Sequence, residues 1–468
     1  MLDAFLFLFV LGMLALGLKR PFIWVLAYLY IDIVAPQKIG WTLMPILPVS
    51  LIAFVAAFAG WALVDSKEGS RFTFRQGLLL ALLAWCTLTA SWSAFPVEAW
   101  AKWAWVWKAM VFAIFLPLTL RTKLRIEAAV LAMVLSIAAI IISGGIKTAA
   151  GGGGYGKLYF MVADNTGLYE SSTISCVAIA VIPLILWLVK FGTVFPPDWR
   201  VKAFAGALIF AALLIPIGTE ARTGLLCIGV LGTLMLRSVK HRFLYMAGAG
   251  LLVLAAIPFL PQSYTDRMST ISNHDEDESA STRVAVWTWT LEYAKAHPLG
   301  GGFDAYRANS FTYNKRVETG AGAVTTTEMR EVTDQGRAYH SAYFEMLGEQ
   351  GWPGLGLWLL IQGLGLLHTE QIRRRYTPGG KRSPLPEDAW KASLASALQQ
   401  AQVVYLVGSL FIGIAYQPFV LMLIGVQIGF RTLVQRQEKL RERDAKGKAR
   451  PASAATRPLG PPATGSQA

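Results

Sequence analysis

Apolar stretches of about twenty residues, separated by short polar or basic segments, recur along the chain from Leu2 to Phe430. A helix of that length crosses the ~30 Å hydrocarbon layer of a bilayer. The pattern gives about 13 such spans. Their approximate limits are 2–18, 21–35, 42–64, 76–92, 103–120, 125–143, 171–190, 202–218, 222–236, 243–260, 352–368, 393–413 and 415–430. The expected fold is therefore an all-α integral membrane protein, because a backbone in lipid must satisfy its hydrogen bonds internally. No basic segment precedes the run that begins at Leu2 and no small-residue cleavage site follows it. That run is expected to be a first transmembrane helix and not a removed signal.

The connections carry charge asymmetrically. Lys19 and Arg20, then Lys67, Arg71 and Arg75, then Arg121, Lys123 and Arg125 fall on alternate turns. So do Lys190, Arg200 and Lys202, then Arg237, Lys240 and Arg242, then Arg373, Arg374 and Arg375, and finally the tail after Arg431. Thirteen alternating helices place all of these on one side, which the positive-inside rule makes cytoplasmic. The N-terminus is then expected outside and the C-terminus inside a bacterial inner membrane. Two longer segments, about 144–170 and 261–351, fall on the periplasmic side. The second is acidic, with thirteen Asp and Glu against eight Lys and Arg. The expected organisation is N-terminal transmembrane helices over 1–260, one large, partly helical periplasmic loop over 261–351, C-terminal transmembrane helices over 352–432, and a disordered basic cytoplasmic tail over 433–468.

Composition agrees. Of 468 residues, 54% are hydrophobic and 15% charged, against about 25% charged in soluble chains. The net charge of +14 would suit nucleic acid if it were clustered. It is spread over short orientation signals, so no nucleic-acid partner is expected, and the tail is matched to lipid headgroups. Cys86, Cys176 and Cys227 lie in or beside apolar runs without metal or disulfide spacing and are read as small core residues. Within the large loop, 284–297 has helical periodicity and ends at Pro298 and a glycine turn, while 308–336 is polar, threonine-rich and read as irregular.

Charged groups beside a membrane need a partner or a purpose. Arg222, in GTEARTGLL, stands at the outer end of a tight hairpin where an orientation signal is not expected. Pairing with Glu220 is the plain reading; the functional one is phosphate binding by a planar fork of donors. Arg283 is read as opening the helix 284–297, either as an exposed charge or as a second clamp on the same anion. His340, in RAYHSAYFEM, has the side chain whose ordinary pKa suits a general base near neutrality, with Arg337 three residues before it. His241, His274, His297 and His368 are read as structural. No phosphate loop, nucleophile elbow, or compact His/Cys cluster occurs. Asp275 and Asp277 sit in a run of acids and are read as solvated.

The stretches RVAVWTWTLEYAKAHPLGGGFDAY (283–306) and YHSAYFEMLGEQGWPGLGLWLL (339–360) resemble the O-antigen ligase and polysaccharide polymerase superfamily. GTEARTGLL (218–226) and ADNTGLYESSTISCVAIAVIPL (163–184) are similar to further motifs of that family. The likeness is greatest to the O-glycosylation ligases associated with exosortase systems. The hairpin departs from the family pattern in Glu220–Ala221, and the usual Asn pair reads Asn165–Thr166. The resemblance implies transfer of a glycan from a polyprenyl-pyrophosphate donor to a hydroxyl of a protein or lipid acceptor. Arg222 and Arg283 would hold the pyrophosphate and His340 would take the proton. Asn165, Arg337 and Glu220 would support them, and no metal or cofactor is expected. A polymerase of lipid-linked repeat units would use the same residues. A transporter of lipid-linked sugars is the alternative from another class, with Asp32 and Lys108 as its intramembrane charges.

Overall fold

The apolar runs fold as helices in a computed structural model, which describes residues 2–151, 167–237, 241, 243–244, 247–248, 251, 278–319, 326–379 and 385–448. Helices α1 (Leu2–Lys19), α2 (Phe22–Val34), α3 (Pro36–Ile39), α4 (Leu43–Ile46), α5 (Val49–Leu63) and α6 (Phe74–Ala90) come first. They are followed by α7 (Pro96–Thr119), α8 (Lys123–Ala150), α9 (Ser171–Ala180), α10 (Ile182–Phe191), α11 (Trp199–Gly218) and α12 (Arg222–Leu236). Beyond the large loop lie α14 (Ala342–Tyr376), α15 (Ala389–Gly408) and α16 (Pro418–Lys448), the loop itself contributing α13 (Glu278–Ala296). Among the described residues α1, α7, α8, the α9–α10 pair, α11 and α16 are long and apolar enough to cross a membrane. Helices α2, α5, α6 and α12 are shorter apolar helices. The chain is an all-α membrane protein.

Proline explains two breaks that periodicity passed over. The expected span 42–64 divides between α4 and α5 at Pro48, and 171–190 bends between α9 and α10 just before Pro183. Proline lacks the N–H that would continue each ladder and its ring crowds the preceding turn. The expected span 243–260 lies mostly outside the described residues, as do Asn165, Asp275, Asp277 and His274. The tail departs from expectation in the other direction. Residues 433–448, expected to be disordered, continue α16 as helix, because QRQEKLRERDAK is rich in strong helix formers.

Between these helices, small residues let backbones approach, the usual contact in an apolar solvent. A side chain at Gly145 would strike Ala211, and one at Gly408 would strike the sulfurs of Cys176 and Cys227. Both thiols point at the Val404 carbonyl, 3.8 Å away. Aromatic stacks such as Tyr28–Phe112 and Phe58–Phe115, each with centroids 4.0 Å apart, fill the wider gaps.

The loop differs from expectation at 308–336. Strands β1 (Ser310–Thr319) and β2 (Thr326–Gln335) pair antiparallel from Ser310↔Gln335 to Thr319↔Thr326, the one sheet among the described residues. Both strands are rich in Thr, Val and Tyr-type strand formers, and Thr312 Oγ1 meets Thr333 Oγ1 across the ladder at 3.1 Å. The sequence alternation is not one of apolar with polar, so the usual strand signature is absent. Asn309, 1% exposed, ties the base. Its Nδ2 donates to the Arg337 carbonyl at 2.7 Å, and its Oδ1 accepts from Arg337 N at 2.9 Å.

The loop is joined to the membrane helices by a backbone-to-backbone clasp. Gly301 N donates to Gly348 O at 3.0 Å, Gly302 N to Glu349 O at 2.9 Å, and Trp352 N to Pro298 O at 3.0 Å. Helix α14 breaks at Gly351, with φ 65° and ψ −169°, a region essentially reserved for glycine. A Cβ at Gly300 would stand 2.5 Å from Glu349 O, and one at Gly351 2.3 Å from Pro298 O. Trp92 Nε1 donates to Gly300 O at 3.1 Å and Trp85 Nε1 to Gln350 O at 2.8 Å, so α6 braces both sides. Gly351→Ala is expected to cost about 3 kcal/mol through strain and the forced separation. Gly356→Ala, where nothing lies within 4 Å of the added carbon, is expected to leave stability unchanged or slightly raised. Thermal unfolding of the two purified variants followed by tryptophan fluorescence checks the contrast.

Candidate transfer site

Where loop and helices meet, one partly buried cation gathers three carboxylates. Lys102 Nζ on α7 lies 2.8 Å from both Glu345 Oε1 and Glu349 Oε1, and 3.6 Å from Asp304 Oδ1. The carboxylates reach further. Glu349 Oε1 accepts from Asp304 N at 3.0 Å, and Glu345 Oε2 accepts from Ala415 N at 2.9 Å. The 300–304 turn, the first turns of α14, and the α15–α16 connection are thus held by one ammonium. Glu349 is 0% and Glu345 6% exposed; the ammonium also lies 5.2 Å from the centre of the Tyr416 ring. Glu345 and Glu349, four apart, share one face of α14 as helical spacing requires.

That framework presents His340. Tyr339 and Ser341 on either side are 3% and 1% exposed, whereas the His340 residue itself is exposed. Its backbone is left-handed at φ 45°, a conformation that costs a non-glycine residue energy and is held only when neighbours fix it. They do. Trp287 Nε1 on α13 donates to Tyr339 O at 2.9 Å, and Ala342 N donates to Ser409 O at 2.9 Å. The Trp287 ring stacks on Phe344 at 5.1 Å, with planes 6° apart. Trp287 is therefore a strut for the His340 segment.

Charges converge on this imidazole. Its pKa is pushed below 6.5 first by the protein packed around it, then by Arg283 and Arg337, with Glu170 opposing. The depression leaves a neutral ring, able to accept a proton, at pH 7. Arg283 lies inside α13, since that helix begins at Glu278, and does not open it as expected. Backbone N–H groups beyond the first turn are consumed by the helix ladder, so Arg283 offers its guanidinium without helix-terminus donors. Arg337 donates from Nε to Asp334 Oδ2 at 3.0 Å, which binds it to the hairpin stem.

Arg222 reaches the same end by another route. It is the first residue of α12, after a hairpin that turns at Glu220 with φ 52°. Ser175 Oγ of α9 meets Thr219 Oγ1 beneath that hairpin at 2.8 Å. The α9–α12–α15 contact at Cys176, Cys227 and Gly408 lies roughly 7–9 Å along the axes below Arg222 and Glu170. Helix α15 ends at Gly408, directly before the Ser409 carbonyl that anchors Ala342. The topology thus brings Arg222, Arg283, Glu170 and His340 to one end of the bundle.

Sequence reasoning missed Lys102, Glu170, Asn309 and the Glu345–Glu349 pair. Lys102 lies in AWAKWAWVWK, where a lysine reads as a snorkelling side chain. Glu170 caps α9, its Oε2 accepting from Thr173 N at 2.6 Å, although glutamate is outside the usual Ser, Thr, Asp and Asn caps. Nothing in the sequence linked that cap to His340.

Two outcomes are expected. The midpoint pH for acylation of His340 by diethyl pyrocarbonate, read by peptide mass spectrometry, falls below 6.5. Arg283→Gln moves it upward, because removing a nearby cation favours the imidazolium; a downward shift contradicts the arrangement. Lys102→Met leaves two buried carboxylates without their cation and is expected to destabilise the protein by about 3–5 kcal/mol, with early proteolysis of the loop in limited digestion.

Comparison with known families fits this architecture. Residues 206–359 match the family described as O-Antigen ligase, and residues 1–193 match one described as a family of unknown function (DUF5935). No curated protein matches the chain. The O-antigen ligase match spans the Arg222 hairpin, the Arg283 helix, the glycine turn and His340, elements at this end of the bundle. Residues 206–359 are thus similar to the O-antigen ligase family, which supports a membrane glycan enzyme of the ligase or polymerase type.

Proposed function

We propose that the protein is a ligase that moves a glycan from a polyprenyl-pyrophosphate donor to an acceptor hydroxyl at the periplasmic face of the inner membrane. The acceptor hydroxyl belongs to a protein, in the manner of O-glycosylation, or to a lipid. The observation that carries this reading is a neutral imidazole, held in a fixed left-handed backbone position, under the influence of an arginine at the rim of a membrane bundle. The acceptor oxygen attacks the anomeric carbon as a ring nitrogen of His340 takes its proton. The bond from that carbon to the pyrophosphate oxygen breaks, and the pyrophosphate leaves with the electron pair on its polyprenyl carrier.

Charge grows on the leaving oxygens in the transition state. Arg222 and Arg283 neutralise it with fixed donors, so no metal is required in this reading. Attack opposite the leaving group inverts the anomeric centre. Glu170, whose charge acts on His340 with the opposite sign to Arg283 and Arg337, stabilises the imidazolium formed when the proton arrives. Arg337, bound to Asp334, positions the His340 segment, and Glu220 shapes the hairpin that presents Arg222. Asn165, outside the described residues, is proposed to approach the donor.

A polymerase joining two lipid-linked repeat units shares this chemistry and differs in the acceptor alone. The transporter reading rests on Asp32 and Lys108, the intramembrane ionisable residues of α2 and α7.

Purified protein supplied with a polyprenyl-pyrophosphate glycan is expected to transfer it. His340→Ala and Arg222→Ala are expected to lower the rate at least about 100-fold, in the range for a lost general base or charge clamp, while remaining inserted and folded. Chelator is expected to leave the rate unchanged. Transfer that chelator abolishes and a divalent cation restores overturns the two-arginine mechanism. Activity dependent on an ion gradient across proteoliposomes favours transport instead. Loss of the gene is expected to leave unattached polymer, whereas single repeat units accumulating indicate a polymerase.

A further inference from the structure

At the other end of α6 the molecule carries a second concentration of charge. A cavity of about 610 Å³ lies between the start of α6, the second half of α14 and α16. Its wall holds Arg71, Arg75, Arg375, Arg431, Lys439 and His368, with Glu438 and Glu442 as its carboxylates. Glu438 is already engaged, accepting from Tyr376 Oη at 2.7 Å and pairing with Arg375 Nη1 at 3.0 Å.

Two guanidiniums in this wall are matched by neutral groups alone. Arg75, 3% exposed, donates from Nε to the Ile361 carbonyl at 3.0 Å and from Nη2 to Gln427 Oε1 at 2.8 Å. Arg431 donates from Nη1 to His368 Nε2, which requires that histidine to be neutral. Among the described residues no carboxylate lies within ion-pair distance of either. The two cations act on each other unfavourably, and arginine does not shed its proton to escape. Orientation signals account for solvated residues such as Arg71 and Lys439. They do not account for a buried arginine on which a second arginine acts unfavourably.

The missing element is an anion, and we propose that this cavity is a binding site for a phosphate-bearing group. Paired guanidinium forks fit phosphate oxygens, and basic pockets between membrane helices on the cytoplasmic side hold acidic headgroups. The rim is apolar. Phe72 and Phe74 are 53% and 74% exposed at the mouth, with Leu364 and Ile428 beside them in the wall. An amphiphile can lay its chains there while its phosphate enters. The 17 residues of α6 separate this cavity from the glycine clasp by about 25 Å, so it is distinct from the transfer site and stands without that reading.

The test uses the full-length protein in neutral detergent, with binding read by native mass spectrometry and thermal shift. The probes are phosphatidylglycerol, phosphatidylcholine and inorganic pyrophosphate. Phosphatidylglycerol is expected to bind. Arg431→Gln weakens it about tenfold or more, the effect of one charge-assisted contact, and Lys439→Gln, an exposed position tolerant of change, weakens it several-fold. Arg374→Gln, whose side chain is 72% exposed on the same end but outside the cavity, is expected to bind as the parent does. Pyrophosphate binding that depends on Arg431 identifies a soluble phosphate as the source. Dependence seen with phosphatidylglycerol alone identifies a lipid headgroup. Equal binding of phosphatidylcholine, or equal loss in Arg374→Gln and Arg431→Gln, overturns the site.

Discussion

The ammonium of Lys102 is the constraint on which the rest is built. A charge buried in this layer is tolerated because three carboxylates surround it, and those carboxylates come from separate parts of the chain. Asp304 belongs to the loop, Glu345 and Glu349 to α14, and Glu345 in turn holds the backbone at Ala415. Taking one member away leaves the others in a medium that cannot solvate them. The polar cluster therefore fixes which loop conformation accompanies which helix arrangement, a task that non-directional apolar packing does not perform.

From that framework the exposed rim inherits its order. His340 is unfavourable where it stands, and the backbone contacts of Tyr339 and Ala342 keep it there. Arg283 and Glu170 act on it from α13 and α9 with opposite sign. An imidazole that packing and a cation keep neutral at rest has a counter-charge acting on it when it becomes protonated. Rigid first elements and opposed charges are what preorganisation of a proton-transfer step requires.

The helices were legible because a bilayer imposes length and hydrophobicity on each span, and a twenty-residue signal is hard to mistake. Arg222, Arg283 and His340 stood out in the sequence as single charged or titratable residues at the less basic side. The structure around them did not. The hairpin over 310–335 carries no apolar face, so the period that marks strands had nothing to act on. Helix α13 begins earlier than Arg283 because the acidic run before it favours a helix start, which periodicity of apolar residues does not register. Lys102 and Glu170 each make sense locally, one as a snorkelling lysine and the other as a cap, and only tertiary structure gives them a second role.

The glycine clasp has a consequence for how this chain can vary. Most junctions are specified by a complementary pair of side chains, and a substitution on one side can be answered by a substitution on the other. At residues 300 and 351 the fit is between two main chains, and what specifies it is vacancy. No compensating exchange exists for an occupied vacancy, since there is nothing opposite that can be made smaller. Drift in the surrounding sequence is therefore free to proceed in shape and polarity, while the seam between the extramembrane segment and its bundle stays locked to the absence of any side chain at all.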